Sequence, residues 1–183
     1  MKKNILYLLL FLVAFVVKAQ DKYEVNASKL SVTGTSTVHD WECVANESTG
    51  AIEAVVTDGV LTKVTDFNFA LTVKKLESGK SGMDKKMYDA LKEDDNPTIT
   101  FKIDQVLENA SGITAFKGNM NIAGTSKSFT APVEATVSGD AIQLKGEKTF
   151  LLTDFNIEPP TAMFGAINTG DEVTIHYNIS LKK

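Results

Sequence analysis

Few side chains in this sequence could carry out catalysis, and they form no recognisable catalytic motif. His39 and Asp40 are adjacent, as at the start of a metal-dependent phosphohydrolase motif, but the only other histidine is His176, on the polar face of a predicted strand. Such metal sites need several histidines and carboxylates that converge from helices. Structural roles are therefore favoured for both histidines, and no metal site is predicted.

The single cysteine, Cys43, is predicted to be buried and unreactive. It alternates with His39, Trp41 and Ala45, and we assign this face to the interior because it carries Trp41. A nucleophilic cysteine needs a positive neighbour that lowers its pKa and a base within reach, and His39 is the only nearby candidate. The sequence contains no nucleophile elbow, phosphate loop or dinucleotide motif, so we expect a non-enzyme without a cofactor.

Composition excludes further classes of function. All 19 basic residues are lysines, against 23 acidic residues. Arginine is the usual side chain for bidentate contacts to phosphate and guanine, so its absence argues against a nucleic-acid partner. One cysteine cannot form an intramolecular disulfide framework, and the acidic cluster at 93–95 lacks the spacing of a calcium loop. The length and the apolar content are those of one globular domain.

The first 19 residues are predicted to be a signal peptide. Two lysines precede an unbroken apolar run, residues 5–17, and Val17 and Ala19 are the small residues that favour cleavage before Gln20. An uncleaved anchor is the alternative, but the run is shorter than the roughly 20 apolar residues that span a bilayer. Cleavage leaves one domain, residues 20–183, with 16 lysines and 23 acidic residues. We therefore expect an exported, periplasmic or secreted protein without an integral membrane span.

Beyond the signal peptide, apolar residues recur with period two, which predicts half-buried strands of an antiparallel sheet. The clearest runs are residues 67–73, 99–103, 116–122, 129–137 and 173–181. Short turn sequences that contain glycine, such as Asp58-Gly59 and Ser138-Gly139-Asp140, separate the runs. This organisation predicts an all-β barrel or sandwich.

Two segments depart from the strand pattern. Residues 81–84 match a capping box, and Met83, Met87 and Leu91 follow at helical spacing before Asn96-Pro97 stops the helix. Residues 158–167 form an irregular connection that contains apolar side chains. A connection of this kind on a barrel is a candidate for a mouth or a lid.

The chain has ten phenylalanines, Trp41 and several methionines on the inward face or in the two irregular segments. A closed barrel of about eight strands is either just filled by its side chains or able to hold one small ligand. Periodicity alone leaves both alternatives open.

Four stretches resemble, in order, the YceI-like family of exported polyisoprenoid-binding proteins. They are residues 34–42 (Gly-Thr-Ser-Thr-Val-His-Asp-Trp-Glu), 83–91 with 96–102, 118–125, and 164–165 with 170–173. The resemblance implies an antiparallel lipocalin-like barrel of about eight strands with one short helix. It also implies an apolar cavity that takes a long isoprenoid, quinone-like or similar lipid.

With this resemblance, we assign the large inward-facing residues to two groups. The expected ligand-binding wall is Trp41, Phe67, Phe69, Leu71, Phe101, Ile103, Phe116, Met120, Ile122, Phe129, Val133, Ile175 and Tyr177. The expected cavity entrance is Met83, Met87, Leu91, Met163 and Phe164, because thioethers and irregular connections suit an adaptable opening. His39 or Tyr177 could bind a polar head group, although a structural hydrogen bond is favoured for each.

The leading hypothesis is non-catalytic binding, storage or transport of a hydrophobic lipid. The alternative is a filled barrel that acts as an exported structural or protein-interaction module. An enzyme acting on a lipid head group has only His39, Asp40 and Cys43 to support it.

The sequence does not specify the oligomeric state. Edge strands and an acidic surface are compatible with a monomer or a dimer.

Overall fold

The computed structural model describes residues 20–183, and the predicted signal peptide lies outside the described residues. Besides three short 3-10 helices, residues 20–183 form eleven strands and one α-helix. They are β1 (Asp21–Ser36), β2 (Trp41–Ala45), β3 (Thr49–Thr57), β4 (Val60–Thr72), α1 (Ser81–Ala90), β5 (Thr98–Asn109), β6 (Gly112–Ile122), β7 (Thr125–Pro132), β8 (Glu134–Ser138), β9 (Ala141–Leu151), β10 (Thr161–Ala162) and β11 (Ile167–Lys182).

All strand pairs in the described residues are antiparallel and belong to one strongly curled arrangement. The main sheet has the order β7-β6-β5-β4-β3-β1-β11-β9-β8. The short strand β2 pairs with β1 beside β3, and the two-residue β10 pairs with β11. This confirms the predicted all-β antiparallel barrel with one short helix. No helix among residues 20–183 is long and apolar enough to cross a membrane.

One predicted strand, residues 129–137, is wrong as a single element. It is two strands, β7 and β8, separated by Val133, and they lie at opposite ends of the sheet order. Pro132 has no N–H group with which to continue the ladder, and the Val133 N–H donates to the Thr114 carbonyl at 2.8 Å. Beyond this point the chain pairs with β9 instead of β6. The two edges of the sheet are therefore joined by consecutive residues, which curls the sheet around its core.

Tyr177 on β11 fixes the point where β7 passes into β8. Its hydroxyl donates a hydrogen bond to the Pro132 carbonyl. Gly146, the partner of Tyr177 on β9, makes room for this contact. A Cβ atom at position 146 would lie 2.2 Å from the Pro132 oxygen and 2.5 Å from the Tyr177 hydroxyl.

The helix begins at Ser81, as predicted, but it ends at Ala90, before the predicted stop at Asn96-Pro97, and the predicted capping box is wrong. Lys80 occupies the N-cap position and provides no side-chain cap. Asp84 instead accepts hydrogen bonds from the backbone N–H and the hydroxyl of Ser78, at 2.7 and 2.6 Å. Tyr88 donates to the Leu76 carbonyl at 3.0 Å. These bonds fix α1 to the segment after β4, so that Met83 and Met87 pack against the core.

Candidate functional site

A cavity of about 480 Å³ lies inside the barrel beneath α1. Its wall is formed by inward-facing residues of the strands, almost all of them apolar. From the amino-terminal strands these are Leu30, Val32, Trp41, Cys43, Phe69 and Leu71, and from the later strands Ile99, Met120, Ile122, Phe150, Val173 and Ile175. Away from the mouth, the polar side chains of the lining are Ser36 on β1 and Thr169 on β11.

The roof of the cavity is formed by α1 and the irregular connection between β9 and β10. Met83, Met87 and Leu91 face the cavity from the helix side. Ile157 and Pro160 face it from the connection. The two parts are linked by the Lys86 ammonium group, which donates to the Thr161 carbonyl at 2.8 Å.

The exposed residues that line the cavity define its mouth. They are Val38, His39, Lys80, Gly82, Lys86 and Thr161, from the β1–β2 loop, the start of α1 and β10. The loop is ordered by Ser36, whose hydroxyl donates to the His39 carbonyl at 2.7 Å and accepts from the His39 N–H at 3.2 Å. His39 Nδ1 lies 2.7 Å from the Asp40 carbonyl, so Nδ1 carries the proton and Nε2 is left as an acceptor.

Trp41 reaches the cavity because its strand partner is a glycine. Gly34 faces Trp41 across the β1–β2 pair, and a Cβ atom at position 34 would lie 2.3 Å from the indole ring. The indole N–H donates to the Thr35 carbonyl at 3.0 Å. This bond holds the ring over Gly34 beside the mouth.

The opposite end of the barrel is filled by aromatic side chains. Phe67 packs against Phe116 and Phe101 with ring centroids 5.5 and 6.3 Å apart. Phe101 packs against Phe129, and Phe129 against Phe150, at 6.3 and 5.6 Å. Phe150 also lines the cavity, so the aromatic cluster forms its floor.

The residues expected in the ligand-binding wall divide between these two ends. Six of them line the cavity: Trp41, Phe69, Leu71, Met120, Ile122 and Ile175. The other seven do not line it and pack in the core at or near the filled end: Phe67, Phe101, Ile103, Phe116, Phe129, Val133 and Tyr177. Contact of any of them with a ligand stays a prediction.

The expected entrance residues divide in the same way. Met83, Met87 and Leu91 line the cavity. Met163 and Phe164 do not line it and are 72% and 113% exposed, at the tip of the connection. Both have left-handed backbone conformations, with φ of 52° and 55°. A left-handed backbone at bulky residues is uncommon and strained.

Several lining residues were not predicted, although some gave a signal in the sequence. Leu30 and Val32 alternate with polar residues on β1, as an inward-facing pair should. Pro160 belongs to the connection 158–167 that was predicted to be a mouth or a lid, whereas Phe150, at a strand end, and Ile157 gave no comparable signal. Lys80 precedes the predicted helix and Lys86 lies within it, but only the packing of the helix against the barrel brings them to the mouth.

Cys43 and His176, two of the side chains that could take part in chemistry, have structural environments. Cys43 is fully buried, and desolvation together with the nearby Asp84 and Glu42 carboxylates raises its pKa to about 11. A thiol with this pKa is protonated and unreactive at neutral pH. His176 lies outside the cavity lining and contacts Glu147, with its Nδ1 3.1 Å from the carboxylate. In the described part of the chain, no group of three or more metal-ligating side chains is close enough to hold a metal.

The model of the YceI-like domain matches residues 17–181, which is nearly the whole chain. The chain belongs to the YceI-like family. The resemblance of the four sequence stretches is thereby confirmed. No curated protein matches this YceI-like chain by sequence.

Several solved structures share the fold of this chain. BcnA of Burkholderia cenocepacia is similar with a TM-score of 0.69 and 17% identity, over 84% of this chain and 95% of BcnA. A polyisoprenoid-binding domain from Saccharophagus degradans, implicated in plant cell wall breakdown, has a TM-score of 0.66 and 11% identity over 87% and 97%. The YceI protein of Campylobacter jejuni has a TM-score of 0.61 and 14% identity over 75% and 81%. At these identities, the similarity shows that this YceI-like chain shares their fold.

Proposed function

We propose that this protein is a non-catalytic lipid carrier that encloses the apolar tail of an isoprenoid or similar lipid beneath α1. The observation that carries the proposal is the apolar cavity of about 480 Å³, a volume within the range of small-molecule sites. Transfer of apolar surface from water into such a cavity contributes about 25 cal/mol per Å². Binding of this kind needs no covalent chemistry.

Three further observations support the proposal. The chain belongs to the YceI-like family, and one protein of the same fold is described as a polyisoprenoid-binding domain. The buried, protonated Cys43 is consistent with a non-catalytic role. The amino-terminal sequence suits export, and an aqueous compartment bounded by a membrane is where an insoluble lipid needs a carrier.

The test is lipid uptake by a matched pair of variants on β5. Ile99 faces the cavity and the adjacent Thr100 faces solvent. Ile99→Phe should fill part of the cavity and weaken binding of a fluorescent isoprenoid, whereas Thr100→Phe adds the same ring outside and should leave binding unchanged. Equal binding by both variants would contradict the cavity as the binding site.

Native mass spectrometry then tests for a natural ligand. Protein purified from its own cell envelope without detergent should carry a discrete added mass that organic extraction identifies as a lipid. A protein that is bare, and that also takes up no added isoprenoid, would instead favour an exported interaction module.

A further inference from the structure

The mouth of the cavity carries positive charge in a protein whose overall charge is negative. Residues 20–183 contain 16 lysines and 23 acidic residues, yet Lys80 and Lys86 line the cavity and no carboxylate does. Among the described residues, no carboxylate oxygen lies within 4.0 Å of either ammonium group. Asp89 and Glu158 line only the adjacent outer depression.

The polarity of the wall decides where a ligand's head group can lie. Apart from Ser36 and Thr169, the wall away from the mouth is apolar, so a polar head placed deep in the cavity would lose most of its hydrogen bonds to water without replacement. The mouth offers Lys80, Lys86 and Nε2 of His39. A head group is therefore expected at the mouth, beside two ammonium groups.

The volume limits the length of the enclosed tail. An apolar cavity of about 150 Å³ holds benzene, which has six carbons. The cavity here is about 480 Å³, roughly three times as large. By this comparison, it encloses a chain of roughly 15 to 20 carbon atoms.

We propose that the ligand is a single-chain amphiphile with a tail of about 15 to 20 carbons and an acidic head group, a carboxylate or a phosphate, bound by Lys86 and Lys80. This inference rests on the proposed lipid-carrier function and specifies its ligand class. Lys86 keeps its bond to the Thr161 carbonyl with one of its three N–H donors, which leaves two for the acid. Charge-assisted bonds of this type are roughly twice as strong as neutral ones.

The experiment compares binding of five probes to lipid-free protein by calorimetry or dye displacement. Hexadecanoic acid and hexadecan-1-ol differ only in their head group. Farnesyl monophosphate and farnesol repeat the comparison with an isoprenoid tail and distinguish phosphate from carboxylate. Solanesol, with nine isoprene units, tests the length of the tail that the cavity can enclose. We expect each acid to bind at least tenfold more tightly than its alcohol, and solanesol to bind most weakly.

A matched pair of variants tests the lysine. Lys86→Glu and Lys85→Glu make the same charge change on adjacent exposed residues of α1, but only Lys86 lines the cavity. Lys86→Glu should weaken binding of the acids at least tenfold more than binding of the alcohols, and Lys85→Glu should change neither. If Lys86→Glu weakened acids and alcohols equally, Lys86 would act only through its bond to Thr161, and the head-group assignment would be wrong.

The failures of the two proposals are distinguishable. If none of the five probes bound, the lipid-carrier function itself would be wrong. If the alcohols bound as tightly as the acids, or solanesol bound best, the carrier function would stand and the ligand class proposed here would be overturned.

Discussion

The two ends of this barrel have the same kind of inward-facing residues but different interiors. Phe67 and Phe69 lie on the same face of β4, two residues apart, yet Phe67 packs into the aromatic cluster whereas Phe69 lines the cavity. On β5, Phe101 packs in the cluster whereas Ile99 lines the cavity. The difference is set by what lies opposite each residue. At the filled end other rings meet it, and at the hollow end α1 holds the roof away from the floor.

This division also accounts for both alternatives that the sequence left open. The phenylalanines that could fill a barrel do fill one end. At the other end, the helix and the β9–β10 connection enclose space that the strands alone would leave open to solvent. One short chain thus combines a stable packed core with an apolar site.

The largest expected effect is the difference in stability between two variants that truncate a phenylalanine, one at each end of the barrel. Phe116 is 1% exposed in the filled end, so Phe116→Ala leaves a new cavity there and should lower the free energy of unfolding by about 3–5 kcal/mol. Phe69→Ala enlarges an existing cavity and should lose only about 2 kcal/mol, while weakening lipid binding. Urea unfolding and lipid uptake measure both. Equal stability losses without a binding difference would contradict the division into two ends.

The pH dependence of Cys43 alkylation tests how accessible the hollow end of the barrel is. Burial favours the neutral thiol and raises its pKa from 9.0 to about 11, so the thiolate fraction near pH 8 should be about a hundredfold lower than in the unfolded chain. Alkylation by a small apolar reagent should accelerate until about pH 11, and bound lipid should slow it. The same protein in urea is the control, and a native rate that levelled off near pH 9 would show an exposed thiol.

The same shift has a consequence for stability. Because the folded thiol holds its proton more tightly than the unfolded one, its contribution is complete below about pH 9 and is lost as the pH rises toward 11.

A substitution at Gly146 tests the closure of the barrel, which is the point where β7 passes into β8 and joins the two edges of the sheet. Gly146→Ala places a methyl group against the Pro132 carbonyl and the Tyr177 hydroxyl, and should lower the free energy of unfolding by about 1–3 kcal/mol. Gly82→Ala is the control, since nothing lies within 4 Å of a Cβ atom there and alanine favours a helix. Thermal unfolding of the two variants should show opposite shifts. An unchanged Gly146→Ala melting temperature would mean that the closure is loose.

The smallest effect is expected at the tip of the connection. Phe164 is exposed, so Phe164→Asn should change stability by less than about 0.5 kcal/mol. If the tip belongs to the entrance, as the sequence predicted, the rate of lipid uptake should fall while the equilibrium affinity stays the same. Stopped-flow fluorescence measures this rate, and an unchanged rate would exclude Phe164 from the entrance.

The sequence predicted the fold class and the family well, because both depend on local patterns. Period two determines which side of a strand is apolar, and the inward face was correct on β4, β5, β6 and β11. It could not show that residues 129–137 change partners at Val133, since both halves of that run have the same alternation.

Local sequence patterns also could not predict the residues that come together at the mouth of the cavity. Lys80 and Lys86 line the same mouth as His39 only because α1, about 40 residues after the β1–β2 loop, packs over the barrel. Likewise, Tyr177 has the alternation of a wall residue, but its hydroxyl bonds to Pro132 at the closure.

The sequence by itself determined that this protein is an antiparallel β-barrel with an apolar inner face and one helix. Only the tertiary structure decided which end is filled and which is hollow. Alternation specifies the side of the sheet on which a residue lies, whereas its depth in the barrel, and the side chains that meet it there, depend on how distant strands and the helix pack together.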